Sequence, residues 1–443
     1  MSIGNLRDEG NKGNNFPWQL KMLQGLSAIS TGITNLIGSI GTGITTSIPA
    51  ASQDASYRSR VSQLTTVGDL KSINRYRTEL WLQNSTGSGY VSWANNKFSL
   101  GVTSKDDSAI IQSKVSYPYF SGKSQLIECT FSEFQPIPGV TKRVGYYDFF
   151  SSGNPDGIWL ESGPNDTVTL IFANALGSVR YEYAVADWSN PDFIRHDWAQ
   201  FNVVMFDFVW LGGLRLRLFV SGPNGFTLAH EVDYAGQIGE GDTFIGYPSH
   251  PVTYQLLALD APGGTYNFNP ICAQVATEGA IDSTGILRTC GNFKTAVSMP
   301  TLGTSYVLLA IRKAYANSPV KIVNIELSVG SSSDRIYWEL QINPTVVGGS
   351  LSFSAIDSQS TTQFALGNGT LTASAGRAIA SGYLSTGQSG RSVNFEDGFL
   401  SFLGGTNPST ALSSTFTPDN YVLIVTPLTT TVTALGTIQV KEL

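Results

Sequence analysis

The sequence predicts a mainly β protein: an N-terminal helical or extended segment for anchoring and oligomerisation, then two antiparallel β-sandwich domains of jelly-roll type. Three observations point there. Charged residues make up 14% of the 443 positions, against roughly 25% in ordinary globular proteins, and 46 glycines with many hydroxyl residues fill the gap. Beyond residue 66 the hydrophobic pattern has a period of two, with no convincing βαβ alternation. A hydrophobic content of 41% with 11% aromatics suffices to bury cores, which argues against disorder.

The first element, residues 1–65, is read as an anchor and short coiled-coil-like stem. A glycine- and asparagine-rich leader gives way at Phe16, Pro17 and Trp18 to an apolar segment. Met22, Leu26, Ile29, Ile33, Leu36 and Ile40 then follow at intervals of four, three, four, three and four. That is a heptad seam, with Pro17 placed as a helix starter, and Ile and Leu mixed on both seam positions favour a homotrimer. Gly38, Gly41 and Gly43 each cost a helix about 0.8–1 kcal/mol relative to Ala, so the helix should end near 37–40. An amphipathic helix docked on its own domain is the alternative reading. Asp8 and Glu9 beside Arg7 and Lys12, with no apolar core following directly, do not suit a secretion signal. The stretch from Met22 to Gln53 carries no charge, but it is crowded with Ser, Thr, Gly and Asn and contains no 18-residue apolar run, so no membrane span is expected.

Strands come next. RIYWELQI (335–342) places Ile336, Trp338, Leu340 and Ile342 on one face, and LRLRLFV (214–220) alternates likewise. Further strands are expected near 77–82, 90–93, 124–132, 143–149, 158–161, 167–173, 178–186, 202–210, 226–233, 305–312, 320–328 and 420–426. APGGTYNFNP (261–270) reads as a boundary, giving domains at 66–260 and 261–443, and residues 357–390 read as loops or a covered surface. In the hairpin over 203–220, a two-residue Gly212-Gly213 turn sets Trp210 opposite Arg215 and Phe208 opposite Arg217. Each guanidinium then lies on an aromatic face, either as strand pairing or as a ligand-facing patch. Asp207 falls among Val209, Leu214, Leu216 and Leu218 on the other face, where a carboxylate needs a partner or a wet edge.

Composition and motifs give no catalytic, cofactor-binding or metal-binding residues, and no enzyme is expected. The net charge of −6 offers no general attraction to nucleic acid or anionic membranes. Cys129, Cys272 and Cys290 lack metal-ligand spacing; Cys272 and Cys290 either bridge or pack as small hydrophobes. His196, His230 and His250 are scattered. Asp148, Asp156, Glu161 and Asp166 share one strand–turn–strand region, where a hydrolytic carboxylate pair could meet but where acidic turn residues are also ordinary. No GxSxG elbow or P-loop is present, and the aromatic run SYPYF (116–120) fits either sugar stacking or core.

Four segments together carry a resemblance: NLRDEGNKGNNFPWQLKMLQGL at the start, KRVGYYDFFSSGNPDGIWLES (142–162), DWAQFNVVMFDFVWLGGLRLRLFV (197–220) and NPICAQVATEG (269–279). They resemble virion structural proteins of tailed bacteriophages, including marine and crAss-like phages. The chain departs from the usual pattern at Asn154-Pro155, an expanded turn. The resemblance implies a head fibre, decoration or appendage protein located in the virion. It would dock on capsid or tail proteins through its N-terminus and project β-domains outward. The alternative is a host-glycan receptor-binding tail fibre or spike, with depolymerase activity ranked behind both.

Overall fold

Among the described residues, strands run from Leu64 to Glu442 in two sets. The computed structural model describes residues 53–149, 154–163, 166–175, 179–211, 215–223, 225–234, 243–279, 285–315, 318–331, 333–384, 390–395, 403–406, 417–429 and 431–443. The expected seam and anchor residues Phe16, Pro17, Trp18, Met22, Leu26, Ile29, Ile33, Leu36 and Ile40, and the helix they were to form, lie outside the described residues. Among the described residues helical structure is limited to two short 3-10 segments, Val185–Asp187 and Pro191–Arg195.

The first set comprises β1 (Leu64–Lys71), β2 (Trp81–Thr86), β3 (Tyr90–Ala94), β4 (Lys97–Val102), β5 (Ser108–Ser113), β6 (Gln125–Ser132), β7 (Val140–Phe149) and β8 (Pro155–Ser162). It continues through β9 (Val168–Asn174), β10 (Val179–Ala184), β11 (Asn202–Val209), β12 (Arg215–Gly222), β13 (Gly225–Asp233), β14 (Val252–Ala258) and β15 (Tyr266–Glu278). One sheet runs β13-β12-β11-β6-β15-β4-β3 with β1 also on β15, and the other runs β10-β9-β8-β7-β14-β5-β2. Their facing residues interlock in one core. Phe206, Phe208, Leu216 and Leu218 come from the first sheet, and Tyr146, Ile158, Leu160 and Leu256 from the second. This is the antiparallel, jelly-roll-like sandwich expected from period-two patterning.

The second set comprises β16 (Ile286–Gly291), β17 (Val297–Met299), β18 (Tyr306–Lys313), β19 (Val320–Val329), β20 (Ile336–Ile342), β21 (Thr345–Val347), β22 (Ser354–Ala355) and β23 (Thr362–Leu366). It ends with β24 (Thr372–Ser374), β25 (Arg377–Leu384), β26 (Gly390–Asn394), β27 (Gly405–Thr406), β28 (Thr417–Pro418), β29 (Tyr421–Pro427) and β30 (Val432–Glu442). The order β16-β30-β19-β26 forms one sheet and β21-β24-β18-β29-β20-β25 the other. Ile322, Ile325, Ile438 and Val440 meet Ile311, Trp338, Leu340 and Leu423 between them. Residues Ala50–Leu443 make one compact unit. The two sandwiches approach each other around Lys313, buried at 2% exposure. Burial pushes its pKa down to about 8, opposed by Asp148 of the first sandwich and Asp419 of the second.

The sheets change over between Glu278 and Ile286, later than the 261–270 stretch read as a boundary. The end of the 261–270 stretch belongs to β15, which accommodates Pro270 at an irregularity between Pro270 and Cys272. A residue without an N–H is tolerated at a bulge. The strand expected at 77–82 begins instead at Trp81, because Leu80 and Trp81 donate back to the Arg77 carbonyl in a turn.

A candidate functional site at the root of the N-terminal segment

The hairpin β11–β12 builds this site. Its register sets Asp207 opposite Arg217 and Val209 opposite Arg215, one residue away from the pairing that a Gly212-Gly213 turn implies. The reason lies at Trp210, which leaves the ladder: its backbone N–H donates to the Tyr119 hydroxyl (3.0 Å) and its indole N–H to the Ile245 carbonyl (3.2 Å). Leaving one residue early reverses which side chains share a face. Phe206, Phe208, Leu216 and Leu218 all enter the core, and Asp207, Arg215 and Arg217 gather on the outer face. The partner that Asp207 required is therefore Arg217. The expected aromatic partners of the arginines are replaced by others: Arg215 lies 3.7 Å from the Tyr57 ring centroid and Arg217 lies 5.1 Å from that of Phe219.

Asp207 and Arg217 are both fully buried. One Asp207 oxygen accepts from Ser124, and the other accepts from Arg217 and from Arg60, the latter at 2.5 Å. Arg60 belongs to the segment 53–60, where the chain leaving residues 1–52 is laid across the sheet. Its Nε donates to the Gln53 carbonyl at 2.9 Å, and the same carbonyl accepts from Arg217. Arg60 also lies 3.6 Å from Glu278 at the end of β15. Burial raises the Glu278 carboxyl pKa, with Asp54 and Asp207 adding to the rise and Arg60 and Arg58 opposing it.

Inside the segment, Asp54 organises a tight turn. Its buried carboxylate accepts from the N–H groups of Ser56 and Arg58, each at 2.8 Å, and pairs with the Arg58 guanidinium. The turn holds Tyr57 at φ +60°, a conformation costly for a bulky residue. That geometry presents the Tyr57 ring to Arg215 and its hydroxyl to Glu231. Arg215 in turn pairs with Asp233 and donates to the Ala55 carbonyl at 3.3 Å. Arg58 donates to the Gly122 carbonyl at 3.0 Å. Segment 53–60 is thus bound to β11, β12, β13 and β15 by charge-assisted bonds around one buried carboxylate. A buried ion cluster adds little net stability, but removing one member costs about 3–5 kcal/mol, because its partners stay buried and uncompensated. Such a cluster fixes where a segment sits.

The four acidic residues considered for hydrolysis do not assemble an acid–base pair. Asp148 and Asp156 lie opposite each other in register. Asp156 is saturated: one oxygen accepts from Ala175 (2.9 Å) and Gly246 (2.8 Å), the other from Tyr247 (3.1 Å), with His250 at 2.8 Å. Burial works to raise its pKa, but the His250 contact and the backbone donors hold it below the usual carboxylate value. Asp148 accepts from Gln112 (3.1 Å) and its neighbour Phe149 (2.8 Å). Glu161 pairs with Arg143 at 2.6 Å, and Asp166 sits exposed at φ +55°.

The histidines do not converge: His196 bonds Asn202, His230 bonds Ser189 and His250 bonds Asp156. No group of three metal-ligating side chains occurs among the described residues. Cys129, Cys272 and Cys290 are free thiols, with Cys272 in the first sandwich and Cys290 in the second. Tyr117 and Phe120 of the aromatic run lie in the first core, and Tyr119 stacks on Phe208 at 5.8 Å.

Among the described residues no helix is long and apolar enough to cross a membrane. No protein-family model matches the chain, and no curated protein sequence matches it. Among solved structures it is similar to a β-glucanase of Bacillus licheniformis, at 18% identity and TM-score 0.34 over 48% of this chain and 99% of that one. It is also similar to the carbohydrate recognition domain of Emp47p, at 12% identity and TM-score 0.33 over 50% of this chain and 100% of that one. A legume lectin-like domain from Entamoeba histolytica gives 10% identity and TM-score 0.33 over 48% and 98%. At these scores the likeness carries no conclusion about chemistry in this chain.

Proposed function

We propose that this protein is a structural subunit of a bacteriophage particle, a head fibre or decoration protein attached through its N-terminal segment. The observation that carries the reading is the buried ionic clasp that fixes residues 53–60 to the first sandwich. An appendage must pass force from its attachment to its body, and a clasp seated on a fully buried carboxylate resists that force where the two join. The heptad spacing from Met22 to Ile40 supports association of copies, read as a trimer. Asp156 and Glu161 are each committed to a neighbour within the fold, so the body reads as scaffold.

Mass spectrometry of gradient-purified particles tests this directly. The protein should co-purify at a fixed ratio to the major capsid protein. Its absence from intact particles, with abundance in the lysate, contradicts the proposal.

A further inference from the structure

The second sandwich carries a groove of about 420 Å³ on the sheet formed by β19, β26 and β30. That volume lies within the range of small-ligand sites. Its rim is Phe293, an aromatic 55% exposed and held at φ +28°, a strained conformation for a residue of that size. The strain is maintained by the buried neighbour Asn292. The Asn292 side-chain amide donates to the carbonyls of Thr295 (2.9 Å) and Ala434 (3.1 Å), and its oxygen accepts from Gly436 N–H (2.7 Å). The Asn292 backbone N–H also donates to the Gly436 carbonyl at 3.2 Å. The backbone that carries this exposed phenyl ring beside the groove is thus tied to β30.

Polar groups line the groove on the β19–β26 side. Glu326 and Ser392 are register partners and both exposed. Ser392 donates to the Asn324 side-chain oxygen (2.8 Å), and the Asn324 amide donates to one Glu326 oxygen (3.2 Å). This relay orients the carboxylate. Arg391 lines the same groove and donates to the Tyr383 carbonyl (3.1 Å). Leu435 supplies an aliphatic patch.

We infer that this groove is a saccharide subsite: Phe293 stacks on the C–H face of a hexose ring, and Glu326 with Ser392 bonds its hydroxyls. A pyranose has that pairing of one apolar face with a ring of hydroxyls, and preorganised partners keep the binding cost low. The inference goes beyond the appendage reading and does not depend on it.

The test uses the full chain and a panel of hexasaccharides: cellohexaose, laminarihexaose, maltohexaose, mannohexaose and chitohexaose. Saturation-transfer NMR and calorimetry measure binding to the unaltered protein and to Phe293→Ala, Glu326→Gln and Tyr315→Ala. Tyr315 is an aromatic 60% exposed away from the groove and serves as control. At least one hexasaccharide should bind, with affinity falling about tenfold or more in Phe293→Ala, several-fold in Glu326→Gln and unchanged in Tyr315→Ala. Circular dichroism confirms folding of each variant, and Glu326→Gln, on an exposed strand position, keeps the test valid should Phe293→Ala misfold. No binding at millimolar concentration, binding indifferent to both groove variants, or equal loss in Tyr315→Ala overturns the inference.

Discussion

Asp207 and Arg217 face each other across the β11–β12 ladder, both fully buried, and both are reached by the segment that emerges from the N-terminal residues: Arg60 bonds the carboxylate and Gln53 receives the guanidinium. These contacts of Arg60 and Gln53 join residues well over a hundred positions apart in sequence, so the fold itself decides where residues 53–60 lie.

Removing one member of this cluster should be costly. Asp207→Asn is expected to lower unfolding free energy by about 3–5 kcal/mol, because it leaves the buried Arg217 uncompensated, and Arg217→Met by less, because Arg60 still bonds the Asp207 carboxylate. Urea denaturation of residues 50–443 or of the full chain measures it. The double variant Asp207→Leu with Arg217→Met should recover part of that loss while leaving Arg60 to Gln53 and Glu278. A single variant within about 0.5 kcal/mol of the parent contradicts the clasp.

Tyr57 contributes at the surface of the same cluster, and its effect should be local. Tyr57→Ala is expected to cost about 1 kcal/mol from the lost cation–π contact and hydroxyl bond. In hydrogen exchange, the amides of Asp54 and Tyr57, which donate to Arg58 and Asp54 carbonyls in this turn, should exchange roughly fivefold faster with the core unchanged. Tyr57→Phe, which keeps the ring over Arg215, should show about half the effect.

His230 sets a pH dependence. Burial pushes its pKa down to about 4, with Asp187 opposing. Its Nδ1 accepts from the Ser189 N–H, so the neutral ring is the form that fits. The unfolded state, with a pKa near 6.5, binds more protons between about pH 6.5 and 4, so stability should fall across that window as pH drops and level off below it. The loss attributable to His230 is about 2–3 kcal/mol. His230→Gln should flatten this part of the stability–pH curve, and an unchanged slope argues against the assignment.

Two glycines of the first sandwich with positive φ differ in whether space as well as backbone angle fixes them. Gly157 lies at φ +128°, and a Cβ there would sit 2.3 Å from the Tyr146 carbonyl oxygen and 2.7 Å from Tyr147 Cα. Gly157→Ala should therefore cost about 2–4 kcal/mol. Gly225, at φ +99° with open space around it, should cost only about 1 kcal/mol on the same change. Thermal denaturation compares the two.

Much of the strand framework was legible because alternation survives wherever one sheet face is buried. The strand carrying Trp338 is the clearest case, expected at 335–342 and found at Ile336–Ile342. β30 was missed: Val432, Ala434, Gly436, Ile438 and Val440 alternate without a break, but Ala434 and Gly436 on that face keep the apolar signal quiet. β15 was obscured by Pro270, whose missing N–H is harmless only because the register slips there. The clasp itself left half a trace. A carboxylate inside an apolar strand required a partner, and that demand pointed to Asp207. Nothing local identified Arg60 or Gln53, because their pairing depends on how the segment crosses the sheet. The seven-residue spacing of Met22 to Ile40 lies outside the described residues and stands as a sequence pattern alone.

The attachment claim is tested most directly by deleting residues 1–30 and following the protein on purified particles. Gln53 to Arg60 remain in that variant, so the β-domains should fold with unchanged circular dichroism and unfolding midpoint. The full chain should sediment with particles while the truncated chain stays in the soluble fraction, folded. Retention of the truncated chain on particles at the level of the full chain would contradict it.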